Sequence, residues 1–151
     1  KITSNLANQM NDWQRDWGRI VETESQDIYN LGRAEIMMEE DPDPLVYFDV
    51  FPGACRHCIR LYLTGGIGSQ PRVFRLSELM ANGTNYGVKS KDCKATIHPV
   101  HPFCRCDLRY LPKGYVWNPD THQFEPPKNY ERKVERKSRA KITIGNKEYT
   151  V

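Results

Sequence analysis

His101-Pro102-Phe103-Cys104-Arg105-Cys106 is the stretch from which the fold is read, because Cys55-Arg56-His57-Cys58 answers it across 42 intervening residues. A Cys-x-x-Cys segment brings two thiolates toward one point, which is why it supplies half of many tetrahedral zinc sites. The second half is drawn from His101, Cys104 and Cys106, so five donors compete for four positions. A turn at His101-Pro102 would let His101 and Cys104 converge, giving Cys55, Cys58, His101 and Cys104 as the favoured set. If residues 104–106 are extended, Cys104 and Cys106 point to one side, and an all-cysteine site with His101 behind it becomes the alternative. Five cysteines are an odd count, which argues against a closed set of disulfides. A catalytic cysteine would need a base and an orienting group, and thiolates committed to a metal cannot serve. No His-Glu-x-x-His or His-x-Glu pattern of an open catalytic metal site occurs. The expected zinc is structural, with its binding energy supplied as folding energy, and Cys93 is read as a small buried apolar residue.

Working outward, Leu6, Met10, Trp13, Trp17, Ile20, Glu24, Ile28 and Leu31 recur at steps of three and four, one face of a long helix. Asp41-Pro42-Asp43-Pro44 ends it, since proline lacks a donor and biases its predecessor away from helix. This stripe is expected to pack on the core or on a partner helix. Glu24 is a carboxylate on the stripe, and burial there requires a cation. Arg105, flanked by two cysteines and therefore turned away from them, is the favoured partner, with Arg33 the alternative.

Leu45–Phe51 reads as a strand, followed by the Cys55–Cys58 turn and a short element at Ile59–Leu63. Thr64-Gly65-Gly66-Ile67-Gly68-Ser69 lacks the Gly-Lys-Ser/Thr of a phosphate loop and reads as flexible linkage. A brief strand at Arg72–Leu76 precedes a short helix, Glu78–Ala81, with Ser77 as its cap and Asn82-Gly83 as its end. Asp107–Leu111 is a closing strand, and Val116-Trp117 with Gln123-Phe124 a hairpin. The stretch from Lys128 to Lys141 carries seven basic residues against two acidic ones and reads as a basic helix. Ile142–Ile144 and Lys147–Val151 about Gly145-Asn146 form the strongest hairpin signal. The fold expected is α+β: a long N-terminal helix (1–41) packed on a small, irregular β-rich zinc-stapled domain (42–112), then an extension (113–151) with the basic helix and terminal hairpin.

The net charge of +3 divides into +5 on residues 128–141 and −2 on the other residues. A basic tail on a mildly acidic body suits a polyanionic partner, and Arg132, Lys133, Arg136 and Lys137 are its expected contacts with DNA or with an acidic protein surface. The mean hydropathy of −0.71 and 38% hydrophobic content leave part of the chain outside any core. No apolar run approaches the ~20 residues of a membrane span, and no signal pattern opens the sequence, so no membrane partner and a soluble product are expected. The chain opens on Lys1, as a processed or partial chain would.

At these residues the chain resembles the phage head morphogenesis family, the minor head proteins typified by the F protein of phage Mu. The ordered set is Arg19, Thr23-Glu24, Asn30 and Gly32 on the helix, then Cys55-x-x-Cys58, Arg72-Val73-Phe74 and His101-Pro102-Phe103-Cys104-Arg105-Cys106. The last is similar to a His-Pro-x-Cys-Arg-Cys signature, and residues of about 13–112 are covered. Phe103 stands where a small polar residue, often asparagine, is common, so that loop is expected to be buried against a partner. The resemblance implies a structural minor capsid protein of the virion head rather than an enzyme. It further implies a position near the portal inside the head, contact with portal and other capsid proteins and with packaged double-stranded DNA, and action in head assembly and DNA packaging or ejection. It also implies residence in the host cytoplasm during assembly. The alternatives are a zinc-knuckle nuclease, for which His57, His98 and Asp107 are the nearby candidates, and a zinc-bearing DNA-binding module.

Overall fold

The structure, a computed structural model, describes residues 2–127, 141–144 and 147–150, with side chains over 8–127. It is α+β. Helix α1 (Ile2–Glu40) is followed by β1 (Leu45–Asp49), α2 (Arg56–Tyr62), β2 (Val73–Arg75), α3 (Leu76–Ala81) and β3 (Asp107–Tyr110). Among the described residues the strands form three short antiparallel sheets: β2-β1-β3, the pair β4 (Val116–Asn118) and β5 (Gln123–Glu125), and the pair β6 (Lys141–Ile144) and β7 (Lys147–Thr150). The last pair, in register Ile144↔Lys147, is the expected terminal hairpin. The basic helix at 128–141, with Arg132, Lys133, Arg136 and Lys137, lies outside the described residues apart from Lys141, which opens β6.

Alternation along β1 puts Val46 and Phe48 inside and leaves Leu45 and Asp49 outside. The buried pair meets Leu108 of β3, Leu76 and Leu79 of α3, and Tyr62 of α2, whose ring lies 4.1 Å from Phe48. The Tyr62 hydroxyl donates to Thr96 O at 3.0 Å, so the buried polar end of this ring is satisfied.

The face by which α1 docks is not the apolar stripe. Met10, Trp13, Trp17, Ile20, Ile28 and Leu31 are all exposed, Trp13 at 71%. The buried residues of α1 are Asn30, Ala34 and Met37, with Thr23, Gln26 and Asp27 half-buried on the same side. At 100° per residue this face lies about a quarter-turn from the stripe. Its polarity has a physical cause: α1 packs along the open edge of β3 and the loop segments beside it, whose outward backbone groups need side-chain partners. Asn30 supplies them. Its amide nitrogen donates to Ile97 O (3.4 Å) and Cys106 O (3.3 Å), and its amide oxygen accepts from Leu108 N (3.1 Å). Gln26 donates to Cys106 O (3.3 Å) and Asp107 Oδ1 (3.0 Å), and Thr23 Oγ1 accepts from Phe103 N (3.2 Å).

Two local expectations are corrected. Ser77 does not cap α3; the helix begins at Leu76, and Asp43 Oδ1 accepts from Ser77 N at 3.1 Å while Asp43 Oδ2 pairs with Arg75. Residues 64–69 form a closed loop rather than slack linkage. Thr64 N donates to Gln70 O, Gly65 N to Ser69 Oγ, and Leu63 bridges Pro71.

Candidate metal centre

Cys55 and Cys58 are not in a free turn but at the start of α2, where Cys55 is the N-cap residue in extended conformation and Cys58 lies in the first turn. Cys55 makes no side-chain cap bond, which leaves its sulfur turned toward the second stretch.

The second stretch is shaped by a β-turn. Cys104 N donates to His101 O at 3.2 Å, and Phe103 occupies the third position with φ of 61°. Positive φ at that position is the mark of a type II turn, which glycine and asparagine adopt most easily. Past the turn, Cys104 and Cys106 face inward, both buried, and Arg105 between them is exposed.

All five expected donors come together. Two overlapping groups share Cys58: Cys55, Cys58 and His101, then Cys58, Cys104 and Cys106, with ligand atoms in each lying within 4.8 Å of one another. His101 Nε2 lies 3.1 Å from Cys55 Sγ and 3.3 Å from Cys58 Sγ, and Cys58 Sγ lies 3.7 Å from Cys104 Sγ. A tetrahedral ion with 2.3 Å bonds to sulfur separates its sulfurs by about 3.8 Å, so the Cys58–Cys104 edge already has that length. His101 Nδ1 donates to Pro102 O at 2.7 Å, which turns the lone pair of Nε2 toward the sulfurs. The cluster could therefore hold a metal ion.

The electrostatics agree. Three buried thiols around one point cannot all ionise without a cation. The Cys104 thiol is pulled far down by hydrogen bonds from Cys106 and then Cys58. Cys58 and Cys106 are pushed up, chiefly by their hydrogen bonds to Cys104, Cys106 to about 12. A divalent cation at this point would favour the ionised form of all three sulfurs.

Cys93 is buried elsewhere and donates to Lys89 O. The Glu24–Arg105 pair does not form. Arg105 meets Glu22 Oε2 at 2.8 Å, both side chains about half exposed, and stacks over Phe51 at 5.9 Å. Glu24 is exposed, and the alternative, Arg33, bonds the Tyr29 hydroxyl at 2.8 Å. Pointing away from the cysteines carries Arg105 out to the flank of α1 where Glu22 stands, not to the stripe. Phe103 is 44% exposed in the single chain.

One pairing had no signal in the sequence. His98 Nδ1 lies 2.8 Å from Asp27 Oδ1 across 71 positions, at the edge of a cleft of about 460 Å³ that Arg19, Thr23 and Tyr86 also line. Of the three nuclease candidates, His98 alone has a carboxylate partner fixing its tautomer; Asp107 is taken up by Gln26 and Arg109, and His57 lies by Arg56, Arg60 and Lys91.

Compared with protein-family models, curated proteins and solved structures, the chain matches none. Among the described residues no helix is long and apolar enough to cross a membrane.

Proposed function

We propose that the chain is a structural minor capsid protein of a tailed-phage head, stapled by one zinc ion and seated near the portal inside the head. In this reading it acts in head assembly and in DNA packaging or ejection, touches portal and other capsid proteins and the packaged double-stranded DNA, and passes through the host cytoplasm during assembly. The observation that supports it most is the convergence of the ordered motif residues on one place. Thr23 and Asn30 of α1 bind the backbone of the segment that carries His101, Cys104 and Cys106, and that segment faces Cys55 and Cys58. A motif spread over about eighty residues thereby becomes one object, a helix holding a metal loop. Thiolate-rich donors with one imidazole suit zinc, and four protein ligands would leave it no open position for chemistry. Purified heads analysed by mass spectrometry should contain the chain at a few copies per particle. Its absence from heads of particles produced in the same cells would end this reading.

A second reading, a zinc-supported nuclease, is favoured by the His98–Asp27 pair. An aspartate that holds Nδ1–H leaves Nε2 as a base facing a cleft. Incubation with plasmid and magnesium separates the two: cleavage lost on His98→Ala would favour the enzyme, and intact plasmid the capsid role.

A further inference from the structure

The stripe that α1 leaves in solvent contains the most unusual surface residues of the chain. Met10, Trp13, Trp17, Ile20 and Ile28 are 62, 71, 57, 48 and 69% exposed. Scattered surface leucines need no explanation, but a contiguous run of large apolar groups marks a contact surface. Among the described residues the first polar bonds from α1 to the half that carries the Cys/His cluster come at Glu22 and Thr23, and Ile20 lines the cleft shared with Tyr86, so Met10, Trp13 and Trp17 lie along the part of the helix that precedes these contacts.

Positions 10, 13, 17, 20 and 24 alternate steps of three and four, a seam with the 3.5-residue period of a coiled coil. That period asks for another helix, not for a flat surface. A lipid surface is disfavoured by the opposite side of α1, where Asp12, Arg15, Arg19 and Glu22 mix both signs instead of presenting a basic face.

We infer that the partner helix is the α1 of a second copy of this chain, running antiparallel. With the twofold axis passing through the seam between Trp13 and Trp17, Trp13 falls against Trp17 of the second copy, and Met10 against its Ile20. Every layer then matches one seam position with its counterpart, and Glu24 falls near the end of the seam, where water can reach it. A parallel pair in register would instead set Glu24 against Glu24 inside the seam. The flanking positions Gln9, Gln14, Val21 and Thr23 are uncharged, and Asp16, the charged one, is already engaged by Arg19 at 3.4 Å. Across the axis Asp16 comes near Asp16 of the second copy, and its own pairing with Arg19 offsets that repulsion. The exposed apolar groups of the overlapping segment amount to roughly 600 Å² per copy, near the lower bound of specific interfaces. The expected dimer is accordingly reversible, with half-association at about 1–100 µM.

The test is sedimentation equilibrium of the full chain, saturated with zinc, from about 1 to 200 µM. The monomer of 17.6 kDa should pass to a species of about 35 kDa. Trp13→Gln with Trp17→Gln should hold the chain monomeric over that range while leaving zinc content and circular dichroism unchanged, because both side chains lie outside the core. A photoreactive benzophenone at Met10 should cross-link to the second copy near Ile20. A wild-type chain that stays monomeric, a dimer indifferent to the tryptophan substitutions, or cross-links centred on Met10 itself would each overturn the inference.

Discussion

Asn30→Ala should be among the most damaging single substitutions in this chain, although Asn30 touches no sulfur. The side chain is 1% exposed and bonds three backbone groups of the segment 97–108. Alanine would leave Ile97 O and Leu108 N without these partners, while Cys106 O would keep Gln26. A buried group stripped of its partner costs about 1–3 kcal/mol, so two such groups and a small void place the loss at about 3–5 kcal/mol. That is a large part of the 5–15 kcal/mol typical of a whole domain, and for a chain of this size about 6–20 °C in Tm. Denaturant unfolding with saturating metal measures it. Gln26→Ala serves as the control, expected to lose roughly 1 kcal/mol because its acceptor Cys106 O keeps Asn30. A loss under about 1 kcal/mol for Asn30→Ala would refute the claim that this amide is what fixes the loop to the helix.

The remaining predictions are briefer. The purified chain should carry about one zinc, with thiolate-dominated ligation by X-ray absorption; Cys58→Ser should lose it most completely, since both donor groups contain Cys58, and Cys93→Ser should keep it. Full metal retention by Cys58→Ser would exclude the site. Glu22→Ala should lose under ~1 kcal/mol, as an exposed ion pair does, and Glu24→Ala should be neutral; a double-mutant cycle between Glu22 and Arg105 measures the coupling. Phe103→Asn should raise stability by about 1 kcal/mol by relieving positive φ at a turn position, and a drop in Tm would contradict the turn assignment. The Asp43 carboxyl is held below its usual range by the Ser77 backbone bond, so its contribution is present above about pH 4 and lost as the solution is acidified. Asp43→Asn should flatten that part of the pH–stability curve.

The metal loop was legible because thiol and imidazole donors at tight spacing announce their geometry locally. Helix α1 was legible as a helix but not in its orientation. Hydrophobic periodicity locates the face that meets an apolar neighbour, whereas the neighbour here is the open edge of β3 and the loops beside it, whose outward backbone groups no strand pairs. The signal for that edge was polar: Thr23, Gln26 and Asn30 at steps of three and four, continued by Ala34 and Met37. Glu24 was given a buried partner because it interrupts the stripe; once the stripe lies in water, a glutamate there needs none. Asp27 and His98 lie 71 positions apart, and nothing near either residue marks the other.

The two halves of the metal loop are joined by a long excursion through Ile59–Val100, and within it residues 86–92 are all exposed. The halves are also joined across β1 and β3, by four facing residue pairs, and through Asn30. Peptide continuity between them is therefore redundant in the folded molecule. A protease that cut between Tyr86 and Lys91 would leave two fragments still travelling together, separable by denaturant but by neither a sizing column nor dilution. The same redundancy makes the 86–92 segment the natural place to open new termini or insert a foreign peptide without disturbing the sulfurs.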